Sequence, residues 1–232
     1  MAEVEHAARR HEWQIESLPV SGSFNLLALH RTPAESKRRI YISTGIHGDE
    51  PAGPLALRQL IEENLWPADV ELFLCPCLNP AGFELNSRED GRGRDLNRDY
   101  MHLESDEIRA HVAWLQRQPP FDLTLCLHED WEAHGFDLYE LNPEQRSRHA
   151  ERVIAEVARV CPIDPSVEID GRPARGGIVH PELDPLMRPQ WPEAFWLVQH
   201  KTRLSYTFEA PSDFPMATRV AALVTAVRAI IR

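Results

Sequence analysis

The sequence predicts one α/β domain, with a largely parallel or mixed sheet and helices packed against it. Three observations carry this expectation. The chain has 232 residues, a size that suits one domain, since domains take roughly 100–200 residues and single α/β domains can exceed that. Hydrophobic residues make up 43% and charged residues 26%, enough apolar material for a core and too little charge for disorder. Strand-like apolar runs alternate with helical periodicity along the chain, the pattern of βα units.

The elements follow in order. Met1–Glu12 is polar and charged and lacks the apolar stretch of a secretory signal. Phe24–His30, with Leu26, Leu27 and Leu29, reads as a strand. Arg39–Thr44 carries Ile40, Tyr41 and Ile42 and ends at Gly45, a strand with a turn signal. From Pro51 to Leu65, apolar residues at Leu55, Leu57, Leu60, Ile61 and Leu65 fall close to helical spacing. Val70–Cys77 is a third strand, stopped by Leu78-Asn79-Pro80. Glu84 to Tyr100 is rich in Gly, Arg, Asp and Asn, fits neither period, and reads as a loop. Ser105 is a candidate N-cap, with Asp106 and Glu107 in the first turn and a stripe of Ile108, Val112 and Leu115.

Phe121–Leu127 is a buried-type strand running into His128, and Phe136–Leu141 is another short one. Asn142-Pro143 marks a helix start, expected to run to about Val160. Residues 162–190 are rich in Pro and Gly and read as an insertion or lid. Trp191–His200 reads as helical. Arg203–Phe208 alternates as a strand ending at Glu209, and Pro215 to Ile230 is a final amphipathic helix. The pattern yields six strands, with no repeat, low-complexity tract or linker.

Charge and cysteines narrow the function classes. Lys and Arg number 25 against 36 Asp and Glu, a net charge of −11. A general nucleic-acid or anionic-membrane binder needs a basic face, so neither is expected as a partner. Nineteen prolines in 232 residues, about 8% against the usual ~5%, imply many fixed loops. No apolar run is long enough for a membrane span. Cys75 and Cys77 sit two apart and could be half a metal site or a redox pair. Without a second pair at zinc spacing, the four cysteines read as core residues in a reducing cytoplasm. No phosphate-cradling glycine motif follows a strand, which removes a nucleotide-binding reading.

The chemical signal begins at Gly45-Ile46-His47-Gly48-Asp49-Glu50. A strand ends there and a helix follows, so the His47 imidazole and the Glu50 carboxylate can converge on one cation. Zinc in hydrolases commonly takes three protein ligands, including a His₂Glu set, and keeps one position open. The second histidine must come from elsewhere. His128 stands at the end of a predicted strand, where open α/β sheets form their binding crevice. Asp49 and Glu129 flank these residues and read either as groups that orient an imidazole or as solvent and helix-terminus charges.

Two further segments complete the pattern. Asn79-Pro80-Ala81-Gly82-Phe83 is followed by Arg88 and by Asp95-Leu96-Asn97-Arg98, and Tyr206-Thr207-Phe208-Glu209 puts a carboxylate at another strand end. In this order, over residues 41 to about 210, the segments resemble the zinc carboxypeptidase superfamily. That group contains carboxypeptidase A-like peptidases, bacterial murein peptide amidases, succinylglutamate desuccinylase and aspartoacylase.

The resemblance implies a mixed, mostly parallel sheet of about eight strands, helices on both faces, and a site at the strand C-termini. It implies one Zn²⁺ ion held by His47, Glu50 and His128, with Glu209 as general base and acid. Arg88 would polarise the scissile carbonyl and stabilise the oxyanion, a donor typically worth ~3–4 kcal/mol of barrier. Arg94 is the alternative if the loop register differs. Asn97 and Arg98 would grip a substrate carboxylate. The tyrosine that carboxypeptidase A-like members carry on a loop about twenty residues before the catalytic Glu is missing here, and His180 is a candidate for its place.

The implied activity is zinc-dependent hydrolysis of an amide bond beside a free C-terminal carboxylate. The substrate would be a small peptide or an N-acyl amino acid. An N-acyl amino acid deacylase of the desuccinylase/aspartoacylase type is the alternative. An inactive zinc-binding protein that recognises peptide C-termini is a lesser one. The short His47–His128 interval resembles the compact bacterial peptidase-like branch. So does an end in a helix about twenty residues after Glu209, where aspartoacylase-like proteins usually carry a β-domain.

Overall fold

The computed structural model describes residues 2–20, 24–145 and 149–232. Met1, and residues 146–148 within the helix expected from Asn142-Pro143 to Val160, lie outside the described residues. The chain opens with helix α1 (Ala2–Arg10) and strands β1 (Gln14–Pro19), β2 (Asn25–Arg31) and β3 (Arg38–Thr44). Helix α2 (Ala52–Glu63), strand β4 (Val70–Cys75), helices α3 (Pro80–Leu85) and α4 (Asp106–Arg117), and strand β5 (Leu123–Asp130) follow. Then come β6 (Asp137–Leu141), α5 (Ala150–Val157), β7 (Glu168–Ile169), β8 (Arg172–Arg175) and β9 (Ile178–Val179). Helix α6 (Glu193–His200), strand β10 (Ser205–Pro211) and helix α7 (Met216–Ile231) complete the described elements.

The strands form one ten-stranded sheet in the order β1-β2-β4-β3-β5-β10-β6-β9-β8-β7. Its centre, β4-β3-β5-β10, is parallel. Antiparallel pairs extend it outward on both sides, through β2 and β1 and through β6, with β9 then parallel to β6. Alternation along each central strand divides the core in two. Ile40, Ile42, Leu125, Leu127, Tyr206 and Phe208 meet α1, α2, α5 and α7 on one face. Tyr41 and Cys126 point the other way and meet α4 and α6. The α/β class, the mixed sheet and the helices on both faces are as expected from the sequence.

The strand count is larger than expected, ten against about eight, and the extra strands are ones that no apolar pattern could announce. β1 is an edge strand with one buried side chain, Leu18. β7 and β9 have two residues each, and β8 is Arg172-Pro173-Ala174-Arg175. Together they turn the 162–190 segment into an extension of the sheet edge. Helix α1 also went unannounced, because its buried side has only Val4, Ala7 and Ala8. The helix expected from Asn142-Pro143 begins only at Ala150. A turn intervenes, with the Gln145 N–H donating to Asn142 O at 3.1 Å and Gln145 at φ 49°. The expected loop 84–100 holds the end of α3 and a 3-10 turn at Leu96–Arg98.

Two turns that follow neighbouring parallel strands position the site. After β4, Asn79 caps α3 by accepting the Gly82 N–H at 2.8 Å, and its own N–H donates to Gly45 O at 2.8 Å. That clasp brings the turn after β3 against α3, backbone on backbone. A Cβ on Gly48 would lie 2.0 Å from the Gly82 carbonyl carbon, a clash no side-chain rotation can relieve. We expect Gly48→Ala to lower unfolding stability by about 3 kcal/mol or more, at the upper end of overpacking costs. Denaturant unfolding measures it; a loss under ~0.5 kcal/mol would contradict this close packing.

Candidate metal centre and substrate pocket

The site grows from three adjacent parallel strand ends. β3 leads through Gly45 into His47 and Glu50, β5 ends through His128, and β10 ends through Glu209, which lies directly beside His128 in register. Parallel strands present their C-termini on one side, so residues remote in sequence meet there. His47, Glu50 and His128 are 3%, 6% and 4% exposed.

Glu50 bridges the two histidines. Its Oε1 lies 2.5 Å from His47 Nδ1 and its Oε2 2.8 Å from His128 Nδ1. One ligand atom from each of the three residues lies within 4.8 Å of the others, and this is the single such His/Cys/Asp/Glu group among the described residues. The donor set, two imidazoles and a carboxylate with both Nδ1 atoms facing inward, fits a zinc ion with an open position. His47 Nε2 meets Asp95 Oδ1 at 3.2 Å. A carboxylate on the outer nitrogen fixes the tautomer of a metal-binding imidazole and raises its basicity.

The electrostatics agree with a cation there. Burial pushes the Glu50 carboxyl upward, but the charge and hydrogen bond of His128, and then those of His47, outweigh it and hold Glu50 at about 2. For His47, burial disfavours the imidazolium, yet the hydrogen bonds with Asp95 and Glu50 leave its pKa above the ordinary value.

Arg88 reaches the same centre. Its Nε and Nη2 donate to Asp95 Oδ2 at 3.2 and 3.0 Å, while Nη1 lies 3.6 Å from Glu50 Oε1. Arg94 lies elsewhere: its Nη1 donates to Glu104 O at 2.9 Å, outside the pocket lining. Asn97 and Arg98 line the pocket, and Asn97 Oδ1 accepts the Glu193 N–H at 2.8 Å. Glu209 also faces the cavity. Burial first, and then the nearby Glu50, Asp137, Asp130 and Asp170, raise its pKa well above the ordinary value. Asp137, opposite Glu209 on β6, is itself pushed up to about 8, chiefly by burial. The cavity over the centre measures about 660 Å³.

The structure thus brings His47, Glu50, His128, Arg88, Asn97, Arg98 and Glu209 around one pocket. Among the described residues, Glu129 makes no hydrogen bond or ion pair with an imidazole. It accepts the Ala52 N–H at 2.6 Å at the start of α2 and pairs with Arg219. Asp49 is exposed at the pocket rim. His180 lies outside the lining, 3.9 Å from Glu140. Sequence reading passed over Asp95, although it opens the Asp95-Leu96-Asn97-Arg98 run. It also passed over Tyr139, the tyrosine that does line the pocket; its hydroxyl donates to Asp170 Oδ2 at 2.7 Å. Tyr139 comes from β6, not from the loop before Glu209. All four cysteines are buried and unpaired, as core residues should be. No helix among the described residues is long and apolar enough to cross a membrane.

Comparison with known proteins now decides the family. A family model described as the succinylglutamate desuccinylase/aspartoacylase catalytic domain matches residues 36–176, more than half of the 232-residue chain.

The chain belongs to this family.

That family sits within the wider zinc carboxypeptidase superfamily. A protein of Shewanella denitrificans OS217, provisionally described as a metallopeptidase, is 25% identical, with TM-score 0.86 over 99% of this chain and 87% of that one. The fold also matches a Pseudomonas aeruginosa metallo-carboxypeptidase in complex with (2-guanidinoethylmercapto)succinic acid, at TM-score 0.70 and 21% identity, over 99% of this chain and 66% of that one. Carboxypeptidase SOL1 of Arabidopsis thaliana is 32% identical over an alignment 111 residues long that covers 36% of this chain. The match spans about a fifth, 21%, of that relative's length.

Metal affinity should show both the outer contact and the proton. Asp95→Asn is expected to weaken zinc binding about 10–100-fold, the usual effect of losing such a partner. Because zinc must displace the His47 proton, wild-type affinity should also fall as pH drops through the raised His47 pKa, by up to about tenfold per unit. Competition with a chromogenic chelator from pH 8 to pH 6 measures both. An affinity unchanged by Asp95→Asn, or flat with pH, would contradict the geometry.

Proposed function

We propose that the chain is a zinc-dependent hydrolase that cleaves an amide bond next to a free carboxylate, as metallocarboxypeptidases do. The observation that carries this reading is the meeting of four kinds of group in one cavity. These are the His47/Glu50/His128 donor set, the Arg88 guanidinium, the Glu209 carboxyl, and the Asn97/Arg98 pair. Bound at the three ligands, zinc supplies Lewis acidity for an amide carbonyl and brings the ionisation of water toward neutral pH.

The chain's own residues do the rest. Glu209 takes the proton of the attacking water and passes it to the leaving amine. Its raised pKa suits a group that must hold a proton as well as release one. Arg88, clamped on Asp95 through two of its nitrogens, holds Nη1 over the centre, 3.2 Å from His47 Nδ1 and 3.6 Å from Glu50 Oε1, where it faces negative charge that develops on the carbonyl oxygen. The Arg98 guanidinium and the Asn97 amide hold the substrate carboxylate, which fixes the distance from that group to the bond that breaks. The expected substrates are small peptides or N-acyl amino acids, and the acidic chain offers nothing to a nucleic acid.

A second reading has its own support. The matching family model describes desuccinylase and aspartoacylase domains, and an N-acyl amino acid would use the same carboxylate grip. The two readings share every catalytic role and a carboxylate on the amine side of the bond, and differ in whether the acyl side is a peptide or a simple acyl group.

A zinc-loaded hydrolysis panel separates them. It holds peptides with free and amidated C-termini, and N-acetyl and N-succinyl amino acids. Turnover confined to free-carboxylate peptides supports the first reading, and turnover confined to N-acyl amino acids the second. In either case Glu209→Gln should keep one zinc and lose about 10²–10⁴-fold in kcat. Residual turnover within threefold of wild type would remove Glu209 from the reaction.

A further inference from the structure

A carboxylate sits in the apolar core beneath the pocket. Glu193, the first residue of α6, is 1% exposed. Its Oε1 accepts the Tyr41 hydroxyl and its Oε2 the Ser43 hydroxyl, both at 2.8 Å. Tyr41 and Ser43 lie on the same face of β3, the strand that runs into His47 and Glu50. The Glu193 backbone N–H donates to Asn97 Oδ1 at 2.8 Å. A backbone N–H can only donate, so this bond settles the orientation of the Asn97 amide. Its oxygen faces α6, and its NH₂ group is left for the pocket.

The bonds continue in one direction. His111 is fully buried, and burial holds it at about 3, so its ring is neutral, with one donor nitrogen and one acceptor. Tyr41 gives its proton to Glu193, so its oxygen accepts from His111 Nε2 at 2.8 Å. His111 Nδ1 then accepts from the Tyr100 hydroxyl, also at 2.8 Å. Tyr100 stands two residues after Arg98, and its backbone N–H donates to Trp191 O at 3.3 Å, just before α6. The network therefore grips the Asn97–Arg98 turn from both sides and anchors it to β3.

A buried carboxylate is an expensive way to hold a core together, since apolar residues of like volume commonly do it as well. What a fully satisfied network adds is a single geometry. We infer that Glu193 is a positioning residue: it ties the metal-bearing strand to the Asn97 amide and so sets the spacing between the metal centre and the carboxylate grip. That spacing selects which bond, counted from the free carboxylate, meets the metal. The inference rests on the reading of Asn97 as a carboxylate ligand.

Binding separates the two ideas. The probes are N-acetyl-L-phenylalanine and N-acetyl-L-glutamate, each against its α-carboxamide, titrated calorimetrically into zinc-loaded protein that carries Glu209→Gln throughout, so that the probe is bound and not turned over. The otherwise wild-type chain should bind the acids at least tenfold more tightly than the amides, and Asn97→Ala should erase that preference. Glu193→Gln places an NH₂ donor against a hydroxyl that already donates. It should cut the preference below threefold while zinc stoichiometry stays at one. Tyr41→Phe, which keeps the ring and removes the hydroxyl, should fall between, and it serves if Glu193→Gln does not fold.

A preference lost in Asn97→Ala but intact in Glu193→Gln and Tyr41→Phe would overturn the positioning role and leave the carboxylate reading standing. No preference in the otherwise wild-type chain would remove that reading and the positioning role with it. Equal weakening of acid and amide in both network variants would reveal a purely structural part and also overturn the proposal.

Discussion

A carboxylate as deeply buried as that of Glu50 needs positive charge or donors around it, because desolvation alone would protonate it. Its oxygens find His47 Nδ1 at 2.5 Å and His128 Nδ1 at 2.8 Å, and Oε2 also accepts the Glu129 backbone N–H at 3.2 Å. Those partners come from two neighbouring parallel strands, β3 and β5, so the bridge exists only if the strands pair in this register. A one-residue slip would turn His128 to the opposite face and put Glu129 in its place. The same register carries Glu209 to the side of His128 through β10. The centre, the placement of Glu209 and the sheet therefore depend on one another.

Around this centre the charges divide into two kinds of work. Asp95 serves both His47 and Arg88, orienting the imidazole with one oxygen and clamping the guanidinium with the other. Carboxylates on the far side, Asp130 and Asp170, oppose the ionisation of Glu209 and Asp137, and Asp137 adds to the effect on Glu209. An acidic protein thus keeps Arg88 and Arg98 in the pocket, and places Glu209 where its charged form is disfavoured. Beneath the pocket, the Tyr100–His111–Tyr41–Glu193 chain ties the metal-bearing strand to the Asn97–Arg98 turn.

Much of this was legible in the sequence, and the reasons are local. β3 and β5 announce themselves as continuous apolar runs because both faces of a central parallel strand are buried. His47, Glu50, His128 and Glu209 stand where those runs stop, so the site was readable from strand ends together with motif order. Ser105 was readable as a cap because the helix start is local: its side chain accepts the Ile108 N–H three residues on. β1 and β7–β9 were not legible, since edge and two-residue strands bury too little to leave a period. The role of Glu193 was equally hidden. Its partners lie 96 to 152 residues away in sequence, and nothing local marks it as more than a first-turn acid. Asp95 shows the intermediate case, a motif residue whose partner, His47, only the fold supplies.

The most direct test of the metal centre is anomalous X-ray diffraction at the zinc edge from crystals grown with zinc. The expected result is one strong peak within bonding distance of His47 Nδ1, His128 Nδ1 and a Glu50 oxygen, with His47 Nε2 still against Asp95. A saturated crystal with no peak there, or a peak held by other residues, would contradict the centre on which the proposed function stands.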